Sequence, residues 1–318
     1  MRLCSFRAER HERLGVVVVD PALPLDEATG TRARALAADA LLAGGPATMG
    51  ELLAGGEMAL GRLARAAREG EARILAEGIP LPELDLLAPQ PRPAKIVAIG
   101  LNYHAHAAEQ GREPPREPLI FAKFPTAVVG PGAAVSWDPA LTTEVDYEAE
   151  LAVVVGRLAR RIGPEEALAH VLGYTIANDV TARDLQAADR QWVRGKSLDT
   201  FCPLGPLLVT TDELPDPQGL RLATRVNGDL LQDGSTADMI FPVRELLAYC
   251  SRAFTLEPGD ILLTGTPSGV GVYREPPRFL RDGDLMAVSI EGIGTLSNAC
   301  REEDPGVRPG TRAEHRAA

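Results

Sequence analysis

Between residues 144 and 150 the chain reads Glu-Val-Asp-Tyr-Glu-Ala-Glu, and then runs on as Leu-Ala-Val-Val-Val. An extended strand turns alternate side chains to opposite faces. Glu144, Asp146, Glu148 and Glu150 therefore share one face, and Val145, Tyr147, Ala149, Leu151, Val153 and Val155 the other. A row of carboxylates repels itself unless water or a cation relieves it, and hard oxygen donors suit Mg²⁺, Mn²⁺ or Ca²⁺. The competing reading is an antiparallel strand with one wet face. Asp179 adds a third acid, placed where the apolar run Val171 to Ala177 ends and a helix-like stretch, Thr181 to Ala188, begins. Strand ends are where sites are built, although a lone Asp before a helix also serves as its cap.

A base is also available. In Asn102-Tyr-His-Ala-His-Ala-Ala-Glu109, a helix puts His106 and Glu109 on one face at i, i+3. A carboxylate that orients and charges an imidazole makes a general base near neutral pH. His104 lies on another face and is the weaker candidate. Lys196 sits in Gly195-Lys-Ser197, but the first glycine of a phosphate-binding loop would fall at Arg190, which excludes that motif. Gly265-Thr-Pro-Ser-Gly-Val-Gly271 is broken by Pro267 and is no dinucleotide fingerprint. Its glycines suit either backbone donors to a ligand or a plain tight turn.

These residues need elements to hold them. After residue 92 the texture is of short strands between Gly and Pro turns: Lys95 to Ile99, Leu119 to Ala122, Tyr147 to Val155, Val171 to Ala177, Leu207 to Thr210, Ala223 to Val226, Ile261 to Thr264 and Leu285 to Ile290. Asn227-Gly228 predicts a type I′ hairpin. Pro242 to Phe254 is the clearest helix. Before residue 92, a Val16 to Val19 run is followed by helix-spaced stretches, Asp26 to Leu42 and Glu57 to Glu77, and then by prolines 80, 82, 89, 91 and 93. The expectation is a β-rich α+β fold: a small N-terminal α/β domain with a Pro-rich linker over 1–92, a catalytic domain over 93–300, and a disordered tail over 301–318.

Composition narrows the partners. With 33 basic and 44 acidic residues the net charge is −11, which argues against a protein that holds nucleic acid or an anionic membrane by bulk charge. No stretch approaches the roughly 20 apolar residues of a membrane helix, and cytoplasmic residence is the default expectation. Cys4, Cys202, Cys250 and Cys300 are too scattered for a zinc site or a disulfide framework. Only Lys95, Lys123 and Lys196 are lysine, so lysine positions carry information.

The ordered set Ile99-Gly-Leu-Asn-Tyr, His106-x-x-Glu109, Tyr147-Glu-Ala-Glu-Leu, Asn178-Asp-Val-Thr-Ala-Arg-Asp-Leu-Gln186, Gly195-Lys-Ser-Leu-Asp-Thr, Thr264-Gly-Thr-Pro-Ser-Gly-Val-Gly and Ile290-Glu-Gly-Ile-Gly resembles the fumarylacetoacetate hydrolase family. The match runs over most of residues 94–299. The resemblance implies a β-roll of mixed sheets with peripheral helices, a homodimer and a Mg²⁺ or Mn²⁺ site. It makes Glu148, Glu150 and Asp179 the metal ligands and His106 with Glu109 the catalytic dyad. Lys196 would offset charge and bind substrate oxygens; Arg183, Gln186 and Thr200 would lie near the ligand; Gly265 and Thr266 would belong to a loop offering backbone donors.

The implied chemistry is C–C hydrolysis of an acylpyruvate-like 2,4-dioxo acid through a metal-stabilised enolate, with His106 activating water. The same enolate serves isomerisation or decarboxylation of 2-hydroxyhepta-2,4-diene-1,7-dioate or related 2-oxo diacids. Fumarylacetoacetases proper carry a further metal-binding Asp seven residues before the dyad His, and here that position is Ile99. The broader acylpyruvase and diene-dioate isomerase subgroup is thus the better match. A non-catalytic protein with a structural ion is the contrasting reading, and it leaves the dyad and Lys196 without a task.

Overall fold

The computed structural model describes residues 1–23, 25–26 and 28–303. Three strands, Ala149–Val155, Val171–Asn178 and Cys202–Thr210, form the centre of a twelve-stranded sheet and are buried at every residue. Ala149–Val155 pairs antiparallel with Val171–Asn178 on one side and with Ile261–Leu263 on the other. Ile261–Leu263 runs parallel to Ile96–Gly100, beyond which Leu119–Lys123 is the edge strand. In the other direction Arg2–Ala8 pairs with Cys202–Thr210, and His11–Val19 and Ala33–Ala37 extend the sheet.

Burial on both faces explains why the central strands read as unbroken apolar runs. One face packs Leu151 and Val153 against the helix Val243–Ala253, through Leu246 and Leu247, and against a second, five-stranded sheet, through Leu222 and Val288. The other packs Ala152 and Val154 with Met49, Leu52, Leu63 and Ile74 of the N-terminal helices. Residues on either side of position 92 therefore share one sheet and one apolar cluster. Fully burying each Leu or Val contributes about 1.5–3 kcal/mol. Truncating Leu151 to Ala at this centre costs about 2–5 kcal/mol.

Asn227 and Gly228 turn the hairpin of the smaller sheet with φ of 52° and 88°, as a type I′ turn requires. Glu57 to Glu77 is helical apart from a break at Gly70. Asp26 to Leu42 is not the expected helix: Ala33–Ala37 is a strand paired with Gly15–Val19, and only Ala38–Leu41 is helical. Sheet pairing outweighs the helical preference of an Ala-rich stretch. Arg301 and Glu302, expected in the tail, instead close a strand by pairing with Ser136 and Trp137; from residue 304 onward the tail lies outside the described residues. No helix among them is long and apolar enough to cross a membrane.

Two details position the acids. The strand expected from Tyr147 to Val155 begins at Ala149, after an irregular step at Tyr147 and Glu148. Val145–Asp146 pairs separately with Thr181–Ala182. The chain thus folds the end of Val171–Asn178 across the start of Ala149–Val155. The short helices that follow Gly100 and Thr181 then close over that end.

Candidate metal centre and its acid–base dyad

The Glu148 backbone N–H donates to Asn178 Oδ1 at 2.9 Å, and the Asp179 N–H donates to the Glu148 carbonyl at 2.9 Å. This clasp sets Asp179 beside Glu148 and Glu150 at the strand end. The three buried carboxylates offer oxygens within 4.8 Å of one another. Asp146 shares their parity in sequence but has another partner: its Oδ2 accepts from Arg183 Nε at 2.8 Å, and Gly271 N–H and Val272 N–H donate to its two oxygens. Glu144 stays outside, half-buried. Asp179 is not a helix cap, since Ala182 holds that position before Arg183–Ala188.

Three cations face these acids. Lys196 Nζ lies 2.8 Å from Glu148 Oε2 and 2.7 Å from Asp179 Oδ2. Lys123 Nζ lies 2.5 Å from Asp179 Oδ1 and also donates to the carbonyls of Val180 and Lys196. Arg183 Nη2 is 2.8 Å from Glu148 Oε1, and its Nη1 donates to Gln186 Oε1 at 3.0 Å. Burial opposes ionisation of Glu148, but Lys196 and Arg183 outweigh it and bring its pKa down to about 2. Burial likewise opposes the Lys196 charge, yet Asp179 and Glu148 hold that ammonium above its usual range.

Glu150 differs. Its one recorded partner is the Gly265 N–H, which donates to Oε2 at 2.7 Å. Burial, with the charges of Asp179 and Glu148 added to it, pushes its carboxyl well above the ordinary range. A buried acid that makes no salt bridge among the described residues, beside the carboxyls of Glu148 and Asp179, is what a hard divalent cation would satisfy. The donor set fits such an ion.

The dyad has the expected geometry. His106 and Glu109 lie on the helix His104–Glu109, with Nδ1 and Oε2 2.8 Å apart. Gln110, at the helix end, brings its Nε2 to 2.8 Å from His106 Nε2. The His106 ring meets Tyr273 edge-on, centroids 6.1 Å apart. Asn102 anchors the segment by donating to the carbonyls of Phe241 and Thr264.

These groups surround a cavity of about 250 Å³ lined by His106, Gln110, Arg112, Glu148, Glu150, Arg183, Gln186, Lys196 and Thr266, with Ile99, Phe121 and Trp192 as apolar wall. Lys196 Nζ sits 5.2 Å from the Phe121 ring centroid. Two larger hollows, of about 600 and 750 Å³, hold none of these residues.

Two of the expected groups have other partners here. Thr200 is not at the cavity: its hydroxyl accepts the Ser136 N–H at 2.8 Å, with φ of 73° in a turn beside the smaller sheet. Three amides of the glycine loop meet acids of the chain itself: Gly265, Gly269 and Gly271 donate to Glu150, Glu109 and Asp146. Thr266 reaches the cavity, its Oγ1 accepting from Gln232 Nε2. Gly195 is a packing residue, since a Cβ there would lie 2.8 Å from Gln186 N and 2.9 Å from Ala182 O. Sequence reasoning did not place Gln110, Arg112, Trp192 or Tyr273 here. Lys123 was legible as one of three lysines and within the family-like stretch Phe121-Ala-Lys-Phe, without an assigned role.

Fold and centre together define a divalent-metal enzyme class, and the chain belongs to the fumarylacetoacetate hydrolase family: that family's C-terminal domain model matches residues 95–301. Among its relatives, an oxaloacetate tautomerase of Bacillus subtilis is 52% identical over 221 residues, 69% of this chain and 73% of that protein. A mitochondrial oxaloacetate tautomerase of Homo sapiens is 43% identical over 300 residues, 94% of this chain and 91% of that one. A crystal structure of 2-hydroxyhepta-2,4-diene-1,7-dioate isomerase from Mycobacterium marinum aligns with a TM-score of 0.71 at 34% identity, covering 95% of this chain and 99% of that one. The human relative is named as mitochondrial, so cytoplasmic residence does not follow from family membership.

Proposed function

We propose that this chain is a Mg²⁺- or Mn²⁺-dependent tautomerase of small 2-oxo dicarboxylates of the oxaloacetate type. The observation that carries this reading is an imidazole held by a carboxylate, His106 on Glu109, lining a cavity of about 250 Å³ together with Glu148 and Glu150, two of the three clustered buried acids. That volume is below the ~300–1,000 Å³ of drug-sized sites, and suits a short acid. The names of the relatives point the same way.

A divalent ion held by Glu148, Glu150 and Asp179 would supply positive charge to the substrate's 2-oxo oxygen and neighbouring carboxylate, favouring loss of a proton from the adjacent carbon. The chain's own groups do the rest. Lys123, Arg183 and Lys196 face Asp146, Glu148 and Asp179, which leaves Glu150 as the unmatched acid. A divalent ion there would tip the balance of these three cations and four acids to net positive, which would favour an anionic substrate. Exposed Arg112 stands at the cavity for the second carboxylate. His106 moves the proton between carbon and oxygen, and Glu109 stabilises the imidazolium formed in between. Ile99, Phe121 and Trp192 limit water around the reacting carbon.

A second reading, C–C hydrolysis of acylpyruvates, is favoured by the same dyad, since an imidazole held by a carboxylate also activates water. One pair of assays separates them. Loss of oxaloacetate enol absorbance is followed with and without Mg²⁺ or Mn²⁺, and pyruvate release is measured from acylpyruvates. The tautomerase reading expects metal-dependent acceleration that His106→Asn lowers by roughly 10²–10⁴. It fails if neither metal speeds enol loss above the buffer rate.

A further inference from the structure

Both ring nitrogens of His106 are engaged within one short segment. Nδ1 faces a Glu109 oxygen at 2.8 Å and Nε2 faces the Gln110 amide nitrogen at 2.8 Å. A carboxylate only accepts, so Nδ1 must carry the hydrogen. An amide nitrogen only donates, so Nε2 must present its lone pair. With the Gln110 amide nitrogen turned to the ring, the two neighbours favour one form, the Nδ1–H tautomer with Nε2 as acceptor. Glu109 alone does not achieve this, because a carboxylate at Nδ1 is equally content with imidazolium, whose Nε2 has no lone pair to offer.

We propose that Gln110 is a positioning residue that presets His106 as a base: its carboxamide keeps Nε2 unprotonated in the resting protein and gives way when substrate arrives. This rests on the proposed role of His106 in the tautomerase reading. The proton step balances simply. A substrate C–H or enol O–H bond breaks, its electron pair stays with the substrate, and the proton forms a new bond to Nε2; the reverse transfer returns it to the other position.

The surroundings permit Gln110 to give way. Gln110 is half-buried, lines the cavity, and ends its helix directly before Gly111, which has φ of 63°. His106 itself is 5% exposed, so its ring is held while its partner is free to move. Tyr273, from the turn Gly271–Tyr273, meets the ring edge-on, and Glu148, Arg112, Arg183 and Lys196 line the same cavity as the ring. None of them is recorded as a hydrogen-bond partner of Nε2.

The test reads the ring directly. The Mg²⁺-loaded full chain is labelled with ¹⁵N at its five histidines, and His106 is assigned by comparison with His106→Asn. The wild type is expected to show Nδ1 protonated and Nε2 pyridine-like. Gln110→Glu, whose carboxylate accepts, is expected to show both nitrogens protonated and to lose most of the 10²–10⁴ that a general base contributes to kcat, in round figures, with KM little altered. Gln110→Leu is expected to give mixed tautomers and a smaller loss. Ring signals like those of the wild type in both variants, or altered signals with unchanged kcat, overturn the proposal. Should the wild type itself lack tautomerase activity, the function reading falls, and the ring signals still decide whether Gln110 sets the tautomer.

Discussion

Glu109 joins two elements that are far apart in the chain: Oε2 lies 2.8 Å from His106 Nδ1, while Oε1 accepts the Gly269 N–H at 2.8 Å. The dyad is therefore fastened to the glycine loop, and that loop is fastened in turn to Glu150 by Gly265 and to Asp146 by Gly271. One backbone segment ties the His106–Glu109 pair to the acid cluster.

Gly269 is the point where this linkage is most easily broken. Its φ is 101°, where a side chain is strained, and a Cβ would collide with the Leu231 carbonyl. Gly269→Ala is expected to destabilise by about 1–3 kcal/mol and to lower kcat by tenfold or more as Glu109 loses its anchor, in the range of roughly 10²–10⁴ that the base contributes. Urea unfolding and steady-state kinetics check the two effects separately.

Lys123 is expected to matter for folding more than its distance from the cavity suggests. It is fully buried against Asp179, and removing one partner of a buried pair costs about 3–5 kcal/mol. Lys123→Met should show that loss in chemical denaturation, and Lys123→Arg should not rescue it, because a planar fork does not fit a contact made to one carboxylate and two carbonyls. A stable Lys123→Met protein with ordinary metal affinity would contradict this.

Glu150 makes the opposite prediction. Because its carboxyl is raised above its reference value of 4.5, its contribution to folding is full below that value and is lost as pH rises through the raised one. In metal-free protein Glu150→Gln should therefore match the wild type near pH 4 and become the more stable of the two as pH rises. With saturating Mn²⁺ the order should reverse, since only the wild type retains all three ligands. Thermal melts at several pH values, with and without metal, read both halves.

Chelation supplies the fourth test. Removing divalent metal with EDTA should abolish activity while leaving the fold, and Mg²⁺ or Mn²⁺ should restore activity and raise the melting temperature. By mass action the stabilisation is about 2.7 kcal/mol at a hundred times Kd. Activity that survives exhaustive chelation would remove the metal from the chemistry.

The amino-acid order by itself determined the core strands, the Asn227-Gly228 hairpin, the helix after Pro242 and the dyad. Each depends on local periodicity or on contacts three or four residues apart, and a strand's alternation or a helix's turn is written in consecutive residues. Family-like motifs added Glu148, Glu150 and Asp179 as a set. Only tertiary structure decided which acid meets which cation. Asp146 and Glu148 have the same parity, yet Asp146 faces Arg183 and the Gly271 and Val272 amides while Glu148 faces both Arg183 and Lys196, because the strand breaks at Tyr147 and the chain folds back through Thr181–Ala182. Thr200 illustrates the limit from the other side: a motif places it near Lys196 in sequence, but a turn of positive φ carries it to Ser136. The glycine loop was legible as a place where backbone amides approach something. That their partners are the site's own carboxylates depends on residues more than a hundred positions away, and no local pattern encodes a contact of that range.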